Sequence, residues 1–281
     1  MAKGAATVDG APTTPGENAS SASARKPKAS ARAKVPPSTL IFFVRHGTTP
    51  TTGQVLPGRA RGLHLADTGR AEAEAVAERL GRQAQPAQPA QPAQPAQPAH
   101  SADRPGTSAN GANAHRAKTK PGLTVAAIYT SPLERARETA APIGQRLGLK
   151  VTVERGLIEM DFGEWTGAQL SVLRKRPEWN AIQHYPSGFQ FPGGEAFSAM
   201  RARIAATVAQ LCQRHPGQTI VAVSHADTIK AAVSDALGTH LDLFQRIVVS
   251  PCSVTAISYS ATGPVVLAVN STGWLGDLHP A

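Results

Sequence analysis

Short apolar runs alternate along the chain with amphipathic stretches. Runs rich in β-branched and aromatic residues stand at 40–44 (LIFFV), 125–129 (VAAIY), 149–153 (LKVTV), 219–223 (TIVAV), 253–259 (SVTAISY) and 265–269 (VVLAV), and they predict strands. Between them, helices are predicted near 68–81, 132–147, 195–214 and 225–237. The third is the clearest, because Phe197, Met200, Ile204, Val208 and Leu211 recur at steps of three and four and so line one face. Continuously apolar strands separated by helices imply an α/β fold, a three-layer αβα sandwich with a mostly parallel central sheet. Ligands of such sheets bind beyond the carboxyl ends of the strands.

Two segments carry no such pattern. Residues 1–37 are mostly Ala, Gly, Pro, Ser, Thr and basic residues, and are expected to form a disordered basic tail. Residues 82–122 contain QPAQPAQPAQPAQPA; periodic proline removes backbone donors and favours extended chain, so a disordered Gln-Pro-Ala-rich insertion is expected there. Without these 37 and 41 residues, 203 of the 281 remain, enough for one domain spanning about 38–278.

The same division explains the formal charge of +10. The tail holds six basic residues against two acidic ones and the insertion five against one, so together they carry eight of the ten charges. The domain is nearly neutral, and without interleaved aromatics or a basic stripe no nucleic-acid partner is expected. Cys212 and Cys252 fit no CxxC or zinc-ligand spacing, and reduced thiols are expected. No run reaches the roughly 18 apolar residues of a membrane helix, and the start lacks the apolar centre of a signal peptide. The expected location is the cytoplasm, although the Ala-, Arg- and Ser-rich start has some likeness to an organelle transit peptide.

Three polar clusters follow predicted strands and so share one sheet edge: Arg45 and His46 after the first, SPLERARETA (131–140) after the second, and SHADTIKAA (224–232) after the fourth. Ser131 with Glu134, and Ser224 with Asp227, have the spacing of capping boxes. Arginines and histidines facing one cavity repel unless an anion sits among them, and guanidinium forks suit phosphate. A neutral imidazole can then attack phosphorus, provided an acid protonates the leaving alkoxide. GLIEMDFGEWTG (156–167) offers Glu159, Asp161 and Glu164 for that task, and spacing alone does not choose among them. No HxH or HExxH spacing points to a metal, and no cofactor is expected.

RHG after the first strand, SPLxRAxET, LxExxFGxWxG, PGGE and VSHxxxIK, in that order, resemble the histidine phosphatase superfamily, which includes the phosphoglycerate mutases. The resemblance runs from about Leu40 to Leu278, broken by the insertion. Through residues 240–254 it extends to actinobacterial members described as phosphomutases or phosphatases.

The resemblance implies the phosphoglycerate mutase-like fold, with His46 as phosphoryl acceptor and Glu159 as proton donor and acceptor. It also implies a phosphate pocket of Arg45, Arg135 and His225. Arg137 is expected at the surface. Many members read RHGxTxxN; this chain keeps Thr49 but has Thr52 in place of the Asn, a phosphate contact of shorter reach. The substrate implied is a small phosphorylated metabolite. The segment between Glu159 and Glu195 is expected to form a lid, with Arg174, Lys175 and Arg176 as ligands of a second anionic group or a solvated basic helix end, and Trp179, Phe189 and Phe191 as pocket walls or core. Lacking the longer insertion of cofactor-dependent phosphoglycerate mutases, the chain reads as a phosphatase, with a phosphomutase or an inactive binding scaffold as alternatives. The oligomeric state stays open.

Overall fold

The computed structural model describes residues 37–84 and 124–273. One sheet holds six strands, β1 (Thr39–Arg45), β2 (Val125–Thr130), β3 (Val151–Val153), β4 (Thr219–Ser224), β5 (Val254–Ser260) and β6 (Gly263–Ser271), in the order β3-β2-β4-β1-β5-β6. The first four in that order run parallel, and β5 and β6 join antiparallel. The helices are α1 (Asp67–Ala84), α2 (Glu134–Leu147), α3 (Leu170–Leu173), α4 (Glu178–His184), α5 (Phe197–Arg214) and α6 (Ala226–Ala236).

Strand alternation builds two cores. Leu40, Phe42, Val44, Val221 and Val223 face α1 and α2, where they meet Ala73, Val76, Leu80, Ala136, Ala140 and Ile143. Ile41, Phe43, Ile220 and Ala222 face the opposite way and pack with Phe197, Met200, Ile204, Val208 and Leu211 of α5 and Ile229 and Val233 of α6. Each face removes its apolar side chains from water, which is the main force holding the three layers. The sandwich and the buried face of α5 are as the sequence pattern predicts.

Three local expectations need correction. The strand expected at 149–153 begins only at Val151, because the Leu149 N–H turns back to the carbonyl of Gly144 and closes α2. The capping boxes do not form. Leu133 and His225 take the N-cap positions, without a side-chain cap bond. The hydroxyls are engaged elsewhere, Ser131 with the ring of His225 and Ser224 as donor to the Leu157 carbonyl. Finally, α1 continues to Ala84, past the expected start of the insertion. The tail and the rest of the Gln-Pro-Ala insertion lie outside the described residues.

Register sets up the site. Arg45 pairs with Ser224 across the adjacent parallel strands β1 and β4, so His46 and His225 are the first residues beyond two neighbouring strand ends. On the other side of β4, Thr130 pairs with Val223, and the Ser131 N–H reaches the Val223 carbonyl at 2.9 Å. Four residues on from Ser131, in the first turn of α2, comes Arg135.

Candidate active site

The imidazole of His46 is held by both nitrogens. Its Nδ1 lies 2.7 Å from the Gly47 carbonyl, which can only accept, so Nδ1 carries the proton. Arg135 Nε, which can only donate, faces Nε2 at 3.3 Å, so Nε2 presents its lone pair. Burial, then the charges of Arg135 and Arg45, hold the ring well below the usual histidine pKa, against the opposing pull of the Gly47 carbonyl. The ring is neutral and only 5% exposed.

Gly47 is required by space. A Cβ there would stand 2.5 Å from the backbone oxygen of Gly69, and one on Gly69 would stand 2.0 Å from that of Thr48. The first turn of α1 therefore lies directly on the loop. Helices clamp that loop further: Gly47 N–H donates to Thr139 on α2 at 3.0 Å, and the Thr48 N–H and hydroxyl both reach Glu72 on α1.

Arg135 is fully buried. Its Nη2 donates to the Gly58 carbonyl at 2.7 Å, while Nη1 has no partner among the described residues. Arg45 Nη1 donates to the Val249 carbonyl at 2.6 Å and its Nε is likewise without a partner there. His225 is also fully buried, its ring centroid 5.1 Å from that of His46. Burial first, then Arg135, His46 and Arg45, lower its pKa well below the usual range, so it too is neutral. Its Nε2 pairs with Ser131 Oγ at 2.7 Å and its Nδ1 has no partner among the described residues. Leu133 N–H also donates to that Oγ; with the serine hydroxyl donating to Nε2, the proton of the neutral ring stands on Nδ1. Buried polar atoms without partners are costly, and here Arg135, Arg45 and His225, whose charges or ring lie near the His46 imidazole, each carry one among the described residues.

Of the three acids left open by spacing, Glu159 alone is buried near the arginines, and its charge acts on both Arg45 and Arg135. Its Oε1 accepts the Met160 N–H at 2.9 Å. Burial, then the neighbouring charge of Asp227, raises its pKa to about 7, against the Met160 N–H, Arg135 and Arg45. Asp161 instead pairs with Arg59 and accepts the Gly163 N–H, and Glu164 is exposed. Arg137 is exposed as expected.

Thr52, expected at the phosphate, has its Oγ 2.8 Å from the Thr49 N–H and 3.0 Å from the Thr49 hydroxyl, and so closes the turn in which it sits. Of the three aromatics expected as pocket walls or core, Phe191 is buried in the core, and Phe189 and Trp179 are half-buried against it. Phe189 and Phe191 stack edge to face with each other and pack against Trp165 and Phe197. Arg174 and Lys175 are exposed, and Arg176 lies over the Trp165 ring at 5.1 Å. Sequence reading missed Ser131 and Thr139 as supports, and Asp227 beside Glu159. It also missed Arg59 and Arg203, which hold the chain around Glu159.

The sequence profile of the histidine phosphatase superfamily (branch 1) matches residues 109–272, more than half of the chain. The chain belongs to the histidine phosphatase superfamily. The match begins after His46, so the assignment of Arg45 and His46 within this histidine phosphatase rests on the geometry above. Phosphoserine phosphatase 1 of Hydrogenobacter thermophilus is 32% identical over 154 residues, covering 54% of this chain and 73% of that protein. The bifunctional protein Rv2228c of Mycobacterium tuberculosis is 31% identical over 153 residues; the alignment covers 54% of this chain but only 42% of that protein. In fold, the histidine phosphatase described here is similar to the mycobacterial glucosyl-3-phosphoglycerate phosphatase. The TM-score is 0.64 at 21% identity, over 84% of this chain and all of that one.

Proposed function

We propose that the protein hydrolyses a small phosphorylated metabolite through a phosphohistidine on His46, without a metal ion. One observation carries the reading: Arg135 Nε, with partnerless donors on Arg135, Arg45 and His225 close by, converges on the unprotonated Nε2 of His46. The relatives named for phosphoserine and glucosyl-3-phosphoglycerate support a phosphomonoester as substrate.

In the first step the Nε2 lone pair forms a bond to phosphorus while the bond to the ester oxygen breaks. The electron pair leaves on that oxygen, which takes the proton of the Glu159 carboxyl. Arg45, Arg135 and His225 stabilise the charge on the transferring oxygens, and the two guanidinium groups supply the positive charge that a metal provides elsewhere. In the second step Glu159, now a carboxylate, takes a proton from water as the water oxygen attacks phosphorus. The phosphorus–nitrogen bond breaks, its pair returns to Nε2, and phosphate is released. Thr52 is proposed to shape the loop and to lend its hydroxyl to phosphate only at the edge of the pocket.

The test is turnover of p-nitrophenyl phosphate and a panel of phosphorylated metabolites with chelator present, beside His46→Ala. Turnover by the intact protein that is lost in the variant supports the reading. An intact protein inert across the panel would sink it in favour of a binding scaffold. Transfer of phosphoryl groups between phosphoglycerates in preference to water would favour the mutase.

A further inference from the structure

We infer that Glu195 is a positioning residue for the Glu159 carboxyl, acting through Arg59 and Arg203 on the main chain to either side of it; this rests on the proton-transfer role proposed for Glu159. Glu195 closes the PGGE turn, and its carboxylate, only 14% exposed, is a hub. Oε1 accepts Arg203 Nε at 2.9 Å, and Oε2 accepts Arg203 Nη2 and Arg59 Nη2, each at 3.0 Å. The Asp161 N–H also points at Oε2, at 3.3 Å.

The two arginines thus aligned reach the segment around Glu159. Arg203 Nη1, from α5, donates to the carbonyls of Gly156 and Ile158, both at 2.8 Å. Arg59 Nε donates to the carbonyl of Glu159 itself at 2.9 Å. Three carbonyls and one N–H within a six-residue span are therefore held by a single carboxylate and its two partners. A bidentate guanidinium–carboxylate pair is rigid in plane and angle, so it fixes where those donors point.

The approach of Glu195 to this span is built into the glycines of the two motifs. A Cβ on Gly163 would stand 2.1 Å from the Pro192 oxygen, and one on Gly194 would stand 2.5 Å from the Asp161 oxygen. Because both are glycine, the backbones can pair, with Glu195 N–H on the Asp161 carbonyl at 2.9 Å and Glu164 N–H on the Pro192 carbonyl at 3.0 Å.

An ion-pair cluster that merely stabilised the fold would have the same bonds, and two properties separate the cases. The first is dependence on the leaving group. A misplaced Glu159 matters for an alkyl phosphate, whose alkoxide needs a proton, and little for p-nitrophenyl phosphate, whose phenolate does not. The second is pH. Glu159 faces Asp227 from α6, Arg135 from α2 and Arg45 from β1, with Arg59 on its own carbonyl. Removing the negative charge of Glu195 leaves Arg59 and Arg203 uncompensated, which favours the Glu159 carboxylate and moves the alkaline limb of the rate profile to lower pH.

The experiment uses the full chain with Glu195→Gln, Glu195→Asp and Arg59→Gln, measuring kcat and KM on O-phosphoserine and on p-nitrophenyl phosphate across pH 5–9, with melting temperature as control. For Glu195→Gln, kcat on the alkyl ester is expected to fall by about 10–100-fold, as for a slightly misplaced catalytic group. KM is expected to change little, the aryl ester to lose far less, and the alkaline limb to move down. Glu195→Asp should recover part of the loss. Arg59 comes from a surface loop, so Arg59→Gln should fold even if Glu195→Gln does not, and should show the same leaving-group dependence more weakly, with the alkaline limb moving up instead because a positive charge beside Glu159 is lost. Equal losses on both esters, or an unmoved alkaline limb, would overturn the inference while leaving the phosphatase intact. A wild-type chain inert on both esters would remove the functional reading and this inference with it.

Discussion

The Nε–H of Arg135 is directed at Nε2 of His46 across 3.3 Å, while the opposite nitrogen of the ring donates to the Gly47 carbonyl. The arginine thus stands at the ring nitrogen proposed to take the phosphoryl group, and its own Nη1 has no partner among the described residues. Its Nη2 is anchored on the Gly58 carbonyl at 2.7 Å. Arg135→Ala is expected to lower kcat/KM by about 10²–10³-fold, the loss typical of a single oxyanion donor. Arg135→Lys should restore little, because an ammonium cannot make the fork. Steady-state kinetics on a phosphomonoester, with circular dichroism to show both variants folded, check this. A lysine variant of wild-type activity would contradict it.

The rate on an alkyl phosphate should fall as pH rises through about 7, where Glu159 loses its proton. On the acid side it should stay flat to well below pH 6.5, because His46 and His225 keep their neutral forms there. With p-nitrophenyl phosphate the alkaline limb should weaken, since that leaving group needs no acid. Initial rates from pH 4 to 9 on both esters test the assignment; a profile that climbs toward pH 9 on the alkyl ester would rule Glu159 out as the acid.

The same carboxyl should show in stability. Its folded pKa of about 7 is raised above the ordinary value of 4.5, so its contribution is fully present below about 4.5 and is lost as pH rises through 7. Above that, the folded state holds a buried carboxylate at a cost on the order of 3 kcal/mol. Glu159→Gln should therefore melt higher than wild type at pH 8.5 and lose that advantage near pH 4.5, while its alkyl phosphatase activity falls by about 10²–10⁴-fold. Thermal melts at the two pH values decide it. Parallel shifts at both would show that the carboxyl is not titrating.

The parts of the site that follow directly on strands were legible in the chain. Arg45, His46 and His225 each come immediately after an unambiguous apolar run, and Arg135 stands in the first turn of a helix entered from the same edge, so parallel pairing alone brings them together. What escaped notice depends on contacts between distant segments. Arg59 meets Glu195 across 136 positions, and neither residue has a local pattern that announces the other. Phe189 and Phe191 read equally as lid or core until the fold stacked them on Trp165 and Phe197. The helices α3 and α4, of four and seven residues, are too short for a helical period to emerge. The capping boxes failed for a related reason: Ser131 and Ser224 have better partners in His225 and Leu157, and only the sheet register reveals them.

Ser131 offers a prediction that no motif would have suggested. Its hydroxyl is the only partner of His225 Nε2 among the described residues, it is buried, and as donor to Nε2 it would keep the ring proton on Nδ1. Ser131→Ala leaves Nε2 buried and unpaired, at a cost of about 1–3 kcal/mol. With that partner gone nothing holds the proton on Nδ1, so the ring can populate the other tautomer, which leaves Nδ1 without the proton it is proposed to offer to phosphate. Activity should consequently fall more than stability implies: kcat/KM lower by about tenfold or more in a protein still folded well below its melting temperature. Nitrogen NMR of the labelled ring supplies the direct check, because the two neutral tautomers exchange the shifts of their protonated and bare nitrogens. A variant with the wild-type tautomer and reduced activity would mean that Ser131 acts through packing instead.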